Sequence, residues 1–114
     1  MKVQKISRSV DADLREGWGT AGLPGTEPAR VSGRQVAIPG SEAFDTGVLE
    51  CTPGTYRRRV KEAEVMHFLA GAGTFAPDGE EAIEFGAGDT LCFAANTEGL
   101  WDVRETMRKV YVIF

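Results

Sequence analysis

The side chains best suited to chemistry in this chain lie between residues 51 and 109. Three consecutive arginines, Arg57, Arg58 and Arg59, come shortly before Glu64 in the stretch YRRRVKEAEVMHFL. A guanidinium is permanently charged and presents a planar fork of donors, which suits a carboxylate or a phosphate. A carboxylate such as Glu64 can hold a polar group or move a proton. His67 is the only histidine. In an extended run its parity is opposite to that of Glu64, so the two side chains face opposite ways. Without a partner it assembles no triad. Cys51 and Cys92 have no neighbouring base or cation in sequence, and they read as two buried, reduced thiols rather than nucleophiles. Arg108 and Lys109 precede the last apolar run and read as a solvated pair. Gly86-Ala87-Gly88-Asp89 lacks the Lys-Ser/Thr and the following helix of a phosphate loop.

These residues must be positioned by strands. The chain has 114 residues, 42% hydrophobic and 26% charged, enough for one domain with its own core. Fourteen glycines separate short apolar runs and mark turns. Strands are expected over 34–38, 44–51, 56–60, 64–70, 73–76, 82–85, 90–93, 100–104 and 109–114. Thr52-Pro53-Gly54 and Pro77-Asp78-Gly79 provide corners. Short strands at this spacing point to a sandwich or small barrel. Residues 1–33 read differently. Residues 10–18 suggest a short helical turn, and the Gly/Pro-rich run to residue 33 suggests an irregular arm over the domain.

The net charge of -4 argues against a nucleic-acid or anionic-membrane partner. No apolar run approaches the roughly 20 residues of a membrane helix, and the N-terminus has no secretory apolar region. A cytoplasmic location is the expectation.

The pieces Glu64-x6-Gly71, Gly88-Asp89, Trp101-Asp102-Val103 and Arg108-Lys109-x-Tyr111, with Gly47 to Gly54 (GVLECTPG), occur in that chain context over residues 34–114. Together they resemble the cupin superfamily. The likeness is greatest to small single-domain cupins grouped with the ureidoglycine aminohydrolase and ethanolamine-utilisation cupins. The resemblance implies an all-β fold, a jelly-roll β-barrel or sandwich with an internal pocket, formed by residues 34–114 as a single domain. It also implies a homodimer.

The general cupin pattern binds a divalent metal through three histidines and a glutamate. Glu64 matches the glutamate and Gly71 the closing glycine of the first motif. A four-residue gap puts Arg57 and Arg59 at the His-x-His positions, and a three-residue gap puts Arg58 and Val60 there. In the second motif the Pro, Gly and His positions fall on Ala94, Asn96 and Gly99. Arginine offers a metal no lone pair, so no metal and no other cofactor is expected. Asn tolerates the left-handed turn that the motif's glycine would supply.

In the four-residue register, Arg57, Arg59, Glu64, Met66, Phe68 and Trp101 point inward. The pocket would then hold an arginine pair, one carboxylate and an aromatic wall. This predicts a small-molecule ligand, an organic acid, bound by Arg57, Arg59, Met66, Phe68 and Trp101, with Glu64 as the catalytic candidate. The alternatives are a metal-dependent hydrolase of the ureidoglycine aminohydrolase type and a non-catalytic accessory subunit. The bland reading of Glu64 is an internal ion pair with one arginine. The choice between Arg57/Arg59 and Arg58 hangs on the strand register.

Overall fold

The structure is a computed structural model that describes residues 3–114. Eight strands form it: β1 (Glu16–Ala21), β2 (Ala29–Val36), β3 (Asp45–Cys51), β4 (Gly54–Val60), β5 (Glu64–Pro77), β6 (Ile83–Gly86), β7 (Thr90–Phe93) and β8 (Thr97–Ile113). There is no helix among the described residues. All pairings are antiparallel. The path runs β1-β2-β3-β8-β5-β6, with β4 also on β8 and β7 also on β5. The all-β cupin jelly roll expected from the resemblance is the fold observed.

Two long strands organise the molecule. The runs expected at 64–70 and 73–76 are one strand, β5, and those at 100–104 and 109–114 are one strand, β8. They pair from Glu64↔Ile113 to Pro77↔Gly99, with register shifts between Phe68 and Gly73. The first part of β8 carries β4 and its last part carries β3. β5 likewise carries β7 on its first part and β6 on its last. Gly71 lies between them, where the register with β8 shifts: its φ is +95, and a Cβ there would sit 2.5 Å from the Met107 Cα. Only glycine combines that conformation with that close approach.

The N-terminal third corrects two expectations. Residues 16–21 and 29–36 are strands that pair with each other and continue the sheet onto β3, so this stretch is not an irregular arm. Residues 7–11 form turns, and residue 16 already belongs to β1, so no helix forms over 10–18. Trp18 explains β1. Its ring lies over Gly33, where a side chain would collide with it, and packs edge-on to Tyr111 at 6.3 Å. Most of the Gly-Pro content that suggests an arm (Gly22, Pro24, Gly25 and Pro28) lies in the β1–β2 turn, while Gly19 and Gly33 lie within the strands.

The core lies inside the barrel. Trp101 is at its centre, fully buried, with Phe75 at 4.9 Å, Phe85 at 5.5 Å, Phe93 at 6.0 Å and Phe68 at 6.3 Å between ring centroids. These tilted and edge-on contacts suit the ring quadrupoles. Cys51 is buried as expected, but Cys92 is exposed, because it alternates along β7 with Phe93, whose ring is in the core. Both are free thiols.

Candidate functional site

Beside the aromatic cluster, the barrel interior holds two charged side chains. Glu64 opens β5 and Lys109 lies near the end of β8; each is 1% exposed. They are the only buried charged residues among the described residues. Burying an ionised group is costly unless it is paired and hydrogen-bonded. Glu64 meets that condition through Arg58 of β4, whose Nη2 donates to Glu64 Oε1 at 2.7 Å.

Arg58 therefore takes the place in the pocket that the four-residue register gives to Arg57 and Arg59. Those two are exposed and turn outward. Arg57 pairs with Asp78 at 2.6 Å, and Arg59 with Glu98 at 3.6 Å. The physical reason lies in the alternation of β4. Tyr56, Arg58 and Val60 share one face, and Val60 is 2% exposed in the core. Arg57, Arg59 and Lys61 share the other, and burying three cations there would be prohibitive. The three-residue gap is the one the structure adopts. A period-two reading of Tyr-Arg-Arg-Arg-Val-Lys carries this signal, since one parity is wholly cationic and the other holds Tyr56 and Val60 on either side of Arg58.

Lys109, expected in solvent, is buried for a related reason. The final run alternates Met107, Lys109, Tyr111 inward, and the two flanking residues are fully or nearly buried. Lys109 occupies a core position of an otherwise apolar face. Its Nζ is 3.2 Å from the Met66 sulfur, 3.9 Å from Glu64 Oε2 and 5.0 Å from the centre of the Trp101 ring. Burial pushes its pKa down to about 7, and the Arg58 charge adds to that shift, while Glu64 and Cys51 oppose it. Burial likewise raises the Cys51 thiol, with the Tyr56 hydroxyl and Lys109 acting the other way. Tyr56 is shifted far upward, mainly by burial and by Cys51.

Arg108 is not a solvated residue either. It donates to Glu50 at 2.9 Å, to the Ala12 carbonyl at 2.7 Å and to the Ser9 carbonyl at 3.1 Å, so it ties the N-terminal segment to β3 and β8.

The remaining expected positions fall as follows. Met66, Phe68 and Trp101 all point inward and are fully buried, as does Glu64. Phe68 stacks on Phe85 at 4.3 Å and belongs to the aromatic cluster. Trp101 Nε1 is buried with no hydrogen-bond partner among the described residues. Such a donor costs roughly 1–3 kcal/mol when left unmade. His67 is exposed and faces away from the interior, with Nδ1 2.8 Å from the Thr90 hydroxyl. Asn96 takes a left-handed φ of 64, so the turn survives the loss of the motif's glycine.

The donor set does not suit the divalent metal that the general cupin pattern implies. Glu64 already accepts from a guanidinium, and its other neighbour is the Lys109 amine rather than a second acidic or imidazole ligand. The described residues contain no group of three or more His, Cys, Asp or Glu that could hold an ion. What the arrangement can do is bind negative charge and exchange protons. Arg58 is the exposed member, with 28% of its side chain accessible. It opens onto a surface groove of about 220 Å³ lined by Arg57, Arg58, Arg59 and Glu98. Glu64 lies behind the Arg58 fork and Lys109 beyond Glu64; neither lines the groove.

A family model described as the EutQ-like cupin domain matches residues 39–111. No curated protein matches in sequence. Among solved structures, a protein of unknown function of the DUF861 family from Pseudomonas syringae pv. tomato has a TM-score of 0.79 at 17% identity, covering 92% of this chain and 46% of its own. Ectoine synthase from P. lautus has a TM-score of 0.68 at 17% identity, covering 98% of this chain and 76% of its own. A putative ethanolamine utilisation protein EutQ from Salmonella typhimurium LT2 has a TM-score of 0.66 at 13% identity, covering 90% of this chain and 98% of its own. Identities this low speak for the fold alone. No helix of the described residues is long and apolar enough to cross a membrane.

Proposed function

The chain belongs to the EutQ-like cupins, and from that premise we propose that it binds a small organic acid in its barrel, at Arg58, without the usual cupin metal. One observation carries the reading: the interior holds Arg58, Glu64 and Lys109 where a purely apolar core would be the cheaper solution. The Arg58 fork is the group an incoming carboxylate would engage, because it alone of the three reaches solvent. The acid competes with Glu64 for that fork. Trp101 Nε1, unpartnered and buried, is a spare donor in the barrel interior. The permanently charged Arg58 fork at the surface selects for anions.

The homodimer expected from the resemblance is a separate proposal, tested by sedimentation velocity across a concentration series. The cytoplasmic location is likewise a proposal, tested by fractionating the source cells.

Isothermal titration with short mono- and dicarboxylic acids tests the binding site. The expected result is saturable one-site binding that Arg58→Gln weakens roughly ten- to hundredfold, the value of a lost charge-assisted bidentate contact. Arg59→Ala should weaken it less, because that guanidinium points outward. His67→Ala should leave it unchanged. Circular dichroism establishes that each variant is folded. If no acid binds, or if Arg58→Gln binds like the wild type, the reading fails. Failure of every acid favours the accessory-subunit alternative. Recovery of a stoichiometric divalent metal with the purified protein would favour the hydrolase alternative.

A further inference from the structure

Glu64 is a buried carboxylate held between two cationic side chains of different kinds. Arg58 Nη2 donates to its Oε1 at 2.7 Å, and Lys109 Nζ stands 3.9 Å from its Oε2, beyond hydrogen-bond reach. The hydrogen-bond partner of Lys109 is the Met66 thioether, a weak acceptor, at 3.2 Å. The groups that face Lys109 are Arg58 from β4, Glu64 and Met66 from β5, Cys51 from β3 and the Trp101 ring from its own strand. Arg58 keeps its charge at every working pH. Burial holds Cys51 as a neutral thiol and, next to it, Tyr56 as a neutral phenol. Lys109 is therefore the cation that can be gained or lost beside Glu64.

Resting on the binding reading above, we infer that the acid binds together with a proton, which Lys109 takes up to balance Glu64 as the ligand claims Arg58. The ligand itself never meets the amine: it stays in the groove lined by Arg57, Arg58, Arg59 and Glu98, and the coupling passes through Glu64. With Lys109 neutral, the charges of Arg58 and Glu64 cancel. A carboxylate arriving at Arg58 leaves one uncompensated negative charge. If it takes over Nη2, Glu64 loses its strong donor at a position only 1% exposed. If it shares the guanidinium from the groove side, two carboxylates draw on one cation. Either way an unpaired charge is left in the interior, which is costly. An ammonium at Lys109 removes that cost, and it needs to close a gap of about 1 Å to hydrogen-bond Oε2. The Trp101 face, 5.0 Å from Nζ, also favours the charged form. Burial holds the Lys109 pKa down to about 7, so the amine is open to protonation where the acid is fully ionised. Below about pH 7 the proton is in place before the acid arrives, and affinity is independent of pH. Above it, affinity falls by up to about tenfold per pH unit, because each binding event draws one proton from solution.

Isothermal titration of the full chain with acetate and with lactate, from pH 6.5 to 8.5, tests this. Both anions are fully ionised over that range, so a proton taken up goes to the protein. Titration at pH 8 in Hepes and in Tris, whose ionisation heats differ, counts the protons. The expected result is uptake close to one proton per acid bound at pH 8, and an affinity that falls roughly tenfold between pH 7.5 and 8.5. Lys109→Met should bind without uptake, with an affinity that is flat over the range and no tighter than that of the wild type at pH 8.5. Glu64→Gln leaves the amine no carboxylate to balance, so it too should bind without uptake, and it serves if Lys109→Met does not fold. His67→Ala, which removes the one histidine, should keep the wild-type profile. Binding by the wild type with no proton uptake and a flat pH profile overturns the coupling while the binding reading stands. Uptake that persists in Lys109→Met or Glu64→Gln, or that disappears in His67→Ala, overturns the assignment to Lys109. If neither anion binds at any pH, both readings fall.

Discussion

Replacing Lys109 with methionine separates the electrostatics of this site from its packing. Methionine keeps most of the side-chain volume and removes the titrating group. In the wild type, the Lys109 pKa is about 7, below its value of 10.5 in the absence of burial. Between those values the unfolded chain holds a proton at Lys109 that the folded chain has released. Stability therefore rises with pH across that window. Below about pH 7 both states are protonated and the full cost of the buried charge is present. From pH 7 to 8.5 the folded group goes from half to almost fully deprotonated, while the unfolded group stays protonated. The gain over that interval is roughly 1–2 kcal/mol. Staying below pH 9 matters, because the raised Cys51 thiol acts with the opposite sign once its unfolded counterpart ionises. The assay is urea denaturation of wild type and Lys109→Met at several pH values in this interval. The wild-type midpoint should climb with pH relative to the variant, and the variant should gain most, relative to wild type, at the acid end. Parallel pH profiles for the two proteins would refute the claim that Lys109 is buried as an unfavourable cation.

Two further outcomes follow from the fold. Gly71→Ala forces a Cβ against the Met107 backbone at a φ of +95, so it should cost about 2 kcal/mol or more in denaturation experiments; a loss within experimental error would show that the β5 bend does not need glycine. Arg108→Met removes the hydrogen bonds to the Ser9 and Ala12 carbonyls, and amide exchange should accelerate in residues 9–12 while β5 stays protected. Unchanged exchange there would mean that other contacts hold the segment.

Much of this molecule was legible in its sequence because strand alternation and turn chemistry are local. The corners at Pro77-Asp78-Gly79 and Gly88-Asp89 are turns, with Gly79 and Gly88 at positive φ. Glu64, Met66 and Phe68 share the buried face that their even spacing assigns, and His67 faces out. The place of Arg58 was encoded in the same way, in the parity of Tyr56, Arg58 and Val60, but the three-arginine run masks that alternation. Strand β1 and the first part of β2 are hidden because a pair held by Trp18 over Gly33 shows no apolar periodicity of its own; only the end of β2 falls within the strand expected over 34–38. Only the tertiary structure joined the separate runs into β5 and β8, since a bend at Gly71 counts as continuation only when β8 lies beneath it. Only it decided that Lys109 is a core residue. A lysine in a strand is equally at home in solvent, and its burial follows from β3 and β5 flanking β8, which turns the Met107-Lys109-Tyr111 face into the barrel. The 3.9 Å between Lys109 and Glu64, which lie far apart in the chain, is set by that pairing and by nothing local.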